Sequence, residues 1–424
     1  CLGMFCLVRL LPALAAALVP QLGLTPLRAV SASSNRIARP SASGEGFGFG
    51  EGYDPELTAA LELVEVGCRA ARDLQAGIVE AKSSTAKADT SGTGFGVSPV
   101  TVADFTVQCL LLGALACRFP NDRFIAEETS AHLLAADAAT RAAVVAAATR
   151  YSGGGADGIY SELFEGVGMG SEAAACAALD LGLGGAADGW SATGRTWVLD
   201  PIDGTKGFLR GDQYAICLSL LDGGRPVVGL LGCPNLSPTD ARASAAVGCA
   251  RGGTLAWAVR GGGAFASAAL QEPRLPEAAT RERYRRPTCV SAAVAPARVV
   301  RCEAFEAAHS SRGKAAAMAA ALGLSAAPVR MDGQGKYAVL ARGEAQLFTR
   351  LPRAGYRENI WDVAAGALLV EEAGGRVSDL DGLPLDFSRG AQLGENVRGV
   401  VATNGGAFHD EVLLALRDAP DDCE

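Results

Sequence analysis

The stretch WVLDPIDGTKGFLRGDQYAICLSLL, residues 197–221, sets two aspartates, a glycine and a hydroxyl between two apolar flanks. Asp200 and Asp203 stand three residues apart, and Thr205 follows Gly204. Carboxylates crowded into apolar surroundings repel one another and are costly unless a cation joins them. Oxygen ligands select a hard cation, Mg²⁺, Mn²⁺ or Ca²⁺, over zinc. Gly204 permits a tight backbone, and Thr205 offers a hydroxyl beside the acids. Taken alone, DxxDGT also fits a solvated turn with an Asx cap.

Three further acidic places are framed by hydrophobic sequence. Glu127 and Glu128 end the apolar run RFIAEE. Asp104 lies inside SPVTVADFTVQCLLLGALACRFP, an otherwise apolar helix-like run. Asp362 opens a helix of small and apolar residues in ENIWDVAAGALLVEEAGG, which Gly374 and Gly375 should stop. One shared cation cluster is the economical reading of all four places.

Elements that position these acids can be read from periodicity. Asp54 suits an N-cap and Pro55 a first helical position. Leu57, Leu61, Val64 and Cys68 recur at helical spacing, which predicts a helix over 55–80. A Gly/Ser/Thr-rich loop follows, then a second helix that Pro120 stops. RFIAEE, TWVLD, YAICLSLL, VVGLLGC and GTLAWAVRGGGAF read as strands. The Ala/Gly-rich region 131–194 is expected to be a peripheral helix with a mobile, low-complexity insertion. Beyond a charged, proline-containing linker near 270–287, ARVVRCEAF, APVRMDG, KYAVLARG, AQLFTRLP, GRVSDL and GVVAT alternate with helices near 311–322 and 359–373. Alternating pieces predict layered α/β packing in two domains, 53–269 and 288–424.

Composition narrows the function. The 424 residues carry a net charge of −8, which argues against a nucleic-acid coat. His132, His309 and His409 lie too far apart for a histidine zinc site. Twelve cysteines without CxxC pairs read as buried apolar residues of a reducing compartment, with a redox-sensitive pair as the other reading. Residues 1–44 contain four arginines and no acid, the composition of an organelle transit or signal segment. A chloroplast location is expected, with the mitochondrion as the alternative, and no later segment is apolar and long enough to span a membrane.

SPVTVADFTVQ, AEET, WVLDPIDGTKGF and IWDVAAG, in that order, resemble the lithium-sensitive, magnesium-dependent inositol-monophosphatase superfamily. Within it, GLLGCPN, FEAAHSS and KYAVLARGEAQLFTRLP are most similar to the 3′(2′),5′-bisphosphate nucleotidases of plant and yeast type. The resemblance covers about 55–405. It implies the layered αβαβα sugar-phosphatase fold. It implies Mg²⁺ held by Glu127, Asp200, the Ile202 carbonyl, Asp203 and Asp362. Asp104 and Thr205 fall on the pair that orients and deprotonates the attacking water. His309, Lys336 and Arg350 fall on nucleotide contacts, shared with Thr205, Asp362 and Gly333. Read without the resemblance, His309 is a surface histidine, Lys336 a solvated lysine and Arg350 half of an ion pair. Trp361 reads as core rather than as a base-stacking platform. Gly333 stands where a serine is usual, Val363 where a histidine is frequent, and TSGTGFGV is inserted before SPVT.

The implied activity is hydrolysis of the 3′-phosphate of adenosine 3′,5′-bisphosphate, and of 3′-phosphoadenosine 5′-phosphosulfate, by in-line water attack. An inositol polyphosphate 1-phosphatase is the alternative within the fold. A non-catalytic nucleotide-binding or redox-sensing protein is the alternative from another class. A small phosphate ester is the expected partner, with neither nucleic acid nor membrane, and the chain is expected to be monomeric.

Overall fold

Helix α1 (Asp54–Thr85) and helix α2 (Pro99–Arg118) lie side by side. Leu57, Ala60, Leu63, Val64, Cys68 and Ala71 line one face of α1, and the spacing of three and four residues makes that face continuous. The protein is described from a computed structural model that covers residues 52–85, 99–153, 161–184, 193–242, 253–268, 286–305, 312–352 and 355–420. The 1–44 segment, the TSGTGFGV insertion and His309 fall outside the described residues.

After α2 the chain forms β1 (Arg123–Ala126) and three short helices, α3 (Ser130–Ala135), α4 (Ala138–Ser152) and α5 (Glu172–Asp180). Thr129, Asp137 and Ser171 cap them, each accepting a backbone N–H of the first turn. The region thus holds more regular structure than its Ala/Gly content suggests. Leu133, Val144, Ala148, Ala175 and Leu179 pack against Val102, Phe105 and Cys109 of α2.

The first sheet continues with β2 (Arg195–Asp203), then, after helix α6 (Thr205–Arg210), β3 (Ala215–Asp222), β4 (Arg225–Cys233), β5 (Thr254–Val259), β6 (Gly263–Ser267) and β7 (Arg286–Thr288). The seven strands lie in chain order. β1 runs parallel to β2 and the other neighbours are antiparallel.

The remaining elements are β8 (Arg301–Glu303), α7 (Arg312–Ala321), β9 (Val329–Arg330), α8 (Gly335–Ala341), β10 (Leu347–Arg350), α9 (Ala364–Glu372), β11 (Arg376–Asp379), β12 (Val400–Thr403) and α10 (Gly406–Asp418). Their five strands form a second sheet in the order β11-β12-β10-β8-β9. KYAVLA is helical here, although its apolar run reads equally as a strand. The helix expected over 359–373 is split: residues 360–362 form a 3₁₀ turn, and α9 begins after Val363.

Side-chain alternation stacks these elements. Trp197, Leu199, Ile216, Leu218, Leu220, Val228 and Leu230 point to the α1/α2 side. Val198, Cys217, Leu231 and Cys233 point the other way, onto α8 and α9. Those helices are covered in turn by Phe348, Val400 and Ala402 of the second sheet, whose far side carries Leu347 and Val401 against Met318 of α7 and Phe408, Val412 and Leu416 of α10. The layers therefore run helix, sheet, helix, sheet, helix. Residues 48–424 form one compact unit. No helix among the described residues is long and apolar enough to cross a membrane.

The middle layer is buried between the sheets, so α9 is small and apolar from Ala364 to Val370, and its glutamates, Glu371 and Glu372, come only at its end. Gly366 has no room: a Cβ there would lie 2.3 Å from Tyr337 Cδ2. Tyr337 cannot yield easily, since its ring meets Phe348 edge to face at 5.1 Å. Overpacking costs about 1–3 kcal/mol, whereas a helix gains about 1 kcal/mol from alanine in place of glycine. Gly366→Ala is therefore expected to unfold at lower urea concentration than the parent chain.

A second prediction concerns His409, whose Nε2 lies 2.8 Å from Ser378 Oγ and whose Nδ1 lies 2.8 Å from Thr403 Oγ1. Burial, reinforced by Arg376 and opposed by Asp410, pushes it down to about 4. A depressed histidine contributes stability that is full above its ordinary value of 6.5 and is lost as pH falls toward 4. The stability advantage of the parent chain over His409→Gln, read from urea midpoints, should shrink across that window. A gap that stays constant with pH would rule this out.

Candidate active site

In an unbroken strand, residues 200 and 203 would face opposite sides of the sheet. Here Asp200 pairs with Cys217 and Asp203 with Ala215, so β2 carries one residue more than β3 in that interval. Pro201, with no N–H to give the ladder, lies inside this bulge. The extra residue returns Asp203 to the side of Asp200. Asp200 Oδ1 also accepts the Ile202 N–H at 3.1 Å. Asp362 arrives from the 3₁₀ turn ahead of α9. Carboxylate oxygens of Asp200, Asp203 and Asp362 lie within 4.8 Å of one another.

Glu127 joins them from the end of β1. Because β1 is parallel to β2 with Ala126 opposite Leu199, the next residues, Glu127 and Asp200, are neighbours, and their carboxyl groups hydrogen-bond. Asp104 reaches Glu127 and Glu128 from α2, where it is 4% exposed. One turn later Gln108 clamps the same strand end: its Nε2 donates to the Glu128 carbonyl at 2.6 Å, and its Oε1 accepts the Glu128 N–H at 3.0 Å.

Crowding shows in the protonation of these acids. Burial, Asp362 and Glu128 push Glu127 up to about 8. Burial and Asp362 push Asp203 up to about 6, with Lys336 and Arg350 opposing. Burial, Glu127 and Asp203 raise Asp200 well above the carboxylate range, and burial, Glu128 and Glu127 do the same to Asp104. Burial and like charge thus favour the protonated forms of these acids. A hard divalent cation fits this oxygen donor set, because it replaces those protons and removes the repulsion.

Around the acids, the 331–333 loop closes tightly on the DPIDGT turn. Gly204 and Gly333 have φ of +95° and +69°, and a Cβ on Gly333 would lie 2.4 Å from the Asp203 carbonyl oxygen. A serine side chain has no place at that backbone. Lys336 is 7% exposed and donates to the carbonyls of Met331, at 3.2 Å, and Gly333, at 2.6 Å. Its ammonium also sits 5.3 Å from the centre of the Phe348 ring. Burial lowers it from its ordinary value, with Asp203 and Asp332 opposing. It braces the loop beside Asp203 rather than standing in solvent.

Arg350, at the end of β10, donates to Asp362 Oδ2 at 2.9 Å, and its Nε lies 2.6 Å from Glu358 Oε2. Burial opposes its charge, yet Asp362 and Glu358 hold it well above the ordinary arginine value. Thr205 opens α6 and donates its hydroxyl to the Ile202 carbonyl at 3.3 Å. Trp361 is partly buried against the middle-layer core.

Three positioning residues escape a reading of the sequence. Gln334 donates its backbone N–H to Asp203 and its Nε2 to the Trp361 carbonyl at 2.7 Å, and its Oε1 accepts the Gly366 N–H at 3.2 Å, so it ties two ligand-bearing segments together. Glu358 is 1% exposed and holds Arg350. Gln108 is the third. The available signal is a polar residue in an apolar run at Gln108, and between glycines at Gln334.

Removing one acid from a repelling cluster relieves the metal-free protein. Asp203→Asn is expected to keep or raise the melting temperature in chelator and to lose the rise that Mg²⁺ gives the parent chain. An undiminished Mg²⁺ shift in the variant would take Asp203 out of the cation site.

This geometry meets an independent likeness in sequence. Residues 60–420 match the family described as the inositol monophosphatase family. The chain is 41% identical over 327 residues to the 3′(2′),5′-bisphosphate nucleotidase of Emericella nidulans, covering 76% of this chain and 88% of that one. It is 38% identical over 379 residues to the 3′(2′),5′-bisphosphate nucleotidase of Oryza sativa, covering 87% and 96%. A similar relative in Schizosaccharomyces pombe, with the same name, is 39% identical over 319 residues, covering 73% and 82%. With its carboxylates gathered from β1, β2 and the turn before α9, the chain belongs to the inositol monophosphatase family.

Proposed function

We propose that this protein is a Mg²⁺-dependent 3′(2′),5′-bisphosphate nucleotidase that releases the 3′-phosphate of adenosine 3′,5′-bisphosphate. The observation that carries the reading is the buried carboxylate cluster in a chain whose relatives bear that name. Inhibition by Li⁺ and action on 3′-phosphoadenosine 5′-phosphosulfate belong to the same proposal.

Asp200, Asp203 and Asp362, with Glu127 and the Ile202 carbonyl, are the residues that would hold the cation. When bound, it supplies positive charge to the phosphoryl oxygens and makes water a better nucleophile. Asp104 is the base of the site: burial beside Glu127 and Glu128 favours its protonated form, and a cation that offsets those neighbours would leave it ionised and able to accept a proton. Thr205, on the left-handed Gly204 turn, positions the water through its hydroxyl. Arg350 keeps part of its side chain, 22%, open to solvent, which leaves it able to meet a substrate phosphate while it holds Asp362. Lys336 acts through the Gly333 carbonyl it supports, and the Gly333 backbone stands where a side-chain contact is usual. His309 completes the proposed nucleotide contacts.

Phosphate release from adenosine 3′,5′-bisphosphate should exceed release from inositol 1,4-bisphosphate, should require Mg²⁺ and should fall when Li⁺ is added. Asp104→Asn should lower kcat by about 10²–10⁴-fold, the range for loss of a general base. Preference for the inositol ester would transfer the function to an inositol polyphosphate 1-phosphatase.

A further inference from the structure

We propose that Tyr356 reads the second, non-reacting phosphate of the substrate through its phenol hydroxyl, a proposal that rests on the nucleotidase reading. Tyr356 lies between β10 and the 3₁₀ turn that carries Asp362. Its hydroxyl is hydrogen-bonded to the Arg350 side chain. Arg350 in turn donates to Asp362 Oδ2 at 2.9 Å. The phenol therefore stands two hydrogen bonds from a carboxylate of the cation site. Exposure rises along that path: the side chains of Asp362 and Arg350 are 13% and 22% open to solvent, and Tyr356 is 46% exposed. On this side of the cluster, Tyr356 is where the path from the acids meets solvent.

The chain that follows Tyr356 is pinned in place. Arg357 Nη2 donates to the Leu393 carbonyl at 2.8 Å, the Leu393 N–H donates to the Glu358 carbonyl at 2.9 Å, and the Ile360 N–H donates to the Ala391 carbonyl at 3.0 Å. A guanidinium can only donate, so the phenol oxygen accepts from Arg350 and keeps its own hydrogen to give. Burial, Asp362 and Glu358 raise the phenol above its ordinary value, with Arg350 opposing, so it remains a donor near neutral pH. A guanidinium with a phenol donor beside it suits an anionic oxygen ligand. The carboxylate cluster and its cation take the reacting phosphate. The anion left for Arg350 and Tyr356 is the other phosphate, which the ribose holds close to the first. Neither the base nor the ribose carries such a charge.

Steady-state kinetics of the parent chain and of Tyr356→Phe test this, with adenosine 3′,5′-bisphosphate, inositol 1,4-bisphosphate and adenosine 3′-monophosphate, which lacks the second phosphate. The monophosphate is read as a substrate or, where its turnover is slow, as a competitive inhibitor. Tyr356→Phe should raise KM for the bisphosphate nucleotide by about tenfold or more, the effect of one hydrogen bond lost to a charged group. The kcat for that nucleotide should change less than about twofold, since the contact is made equally in ground and transition states. The constant for the monophosphate should also change less than about twofold. An equal loss on both nucleotides would place Tyr356 at the base, the ribose or the reacting centre and overturn the proposal. An unchanged KM for the bisphosphate nucleotide overturns it too, and both results leave the nucleotidase reading intact. A parent chain that hydrolyses inositol 1,4-bisphosphate in preference to adenosine 3′,5′-bisphosphate overturns that reading and the proposal with it.

Discussion

Mutual repulsion among buried carboxylates is the constraint on which the rest of this structure depends. Asp104, Glu127, Asp200, Asp203 and Asp362 are drawn from positions spread over much of the chain and held against one another. No polypeptide places acids this way for stability, because desolvation and like charge both oppose it. The fold must therefore supply rigid delivery from several sides. It does so with a parallel pair, β1 and β2, that sets Glu127 beside Asp200, with a bulge that turns Asp203 to the same side, and with a buried helix that presents Asp362.

That buried helix explains the layering. α9 lies between two sheets, so up to Val370 its side chains are apolar on every side and small where neighbours approach. Gly366 against Tyr337 leaves no room for a Cβ, and it falls one turn beyond Asp362. Gln334 couples the same region to Asp203 by hydrogen bonds that leave none of its own polar atoms wasted. Because buried polar groups are costly unless satisfied, such a bridge is rigid, and rigidity is what a cation site requires. Packing and site geometry are here one design.

Much of this was legible in the sequence, and the reasons are specific. Asp200, Asp203, Asp362, Glu127 and Asp104 each interrupt an apolar run, and an acid in such a run demands an explanation that only a shared site gives economically. β2, β3 and β4 announced themselves by apolar residues on both faces, as strands covered on two sides must. KYAVLA did not, because a short helix buried all round has the same composition as a buried strand. The bulge at Pro201 was also hidden: a spacing of three says nothing of facing until the register is known. Gln108 and Gln334 stand out as polar residues, but they work through backbone atoms of distant segments, and one sequence does not say which segments those are. Lys336 and Arg350 were visible as charges, but that one braces carbonyls and the other holds Glu358 and Asp362 followed only from the packing.

Charge balance ties the inner groups to the substrate. Among the described residues, Lys336 and Arg350 are cationic side chains set against the acids of the cluster and Glu358. Both are already engaged, one with loop carbonyls and the other with two carboxylates. An incoming phosphate dianion adds charge of the same sign as the acids, so the metal-free site either repels it or meets it with protonated carboxyls. A cation held by these acids would offset both their charge and that of the phosphate, so cation and phosphate affinities are expected to be coupled, each raising the other. The same carboxylates that repel one another would thereby make phosphate binding conditional on a bound cation.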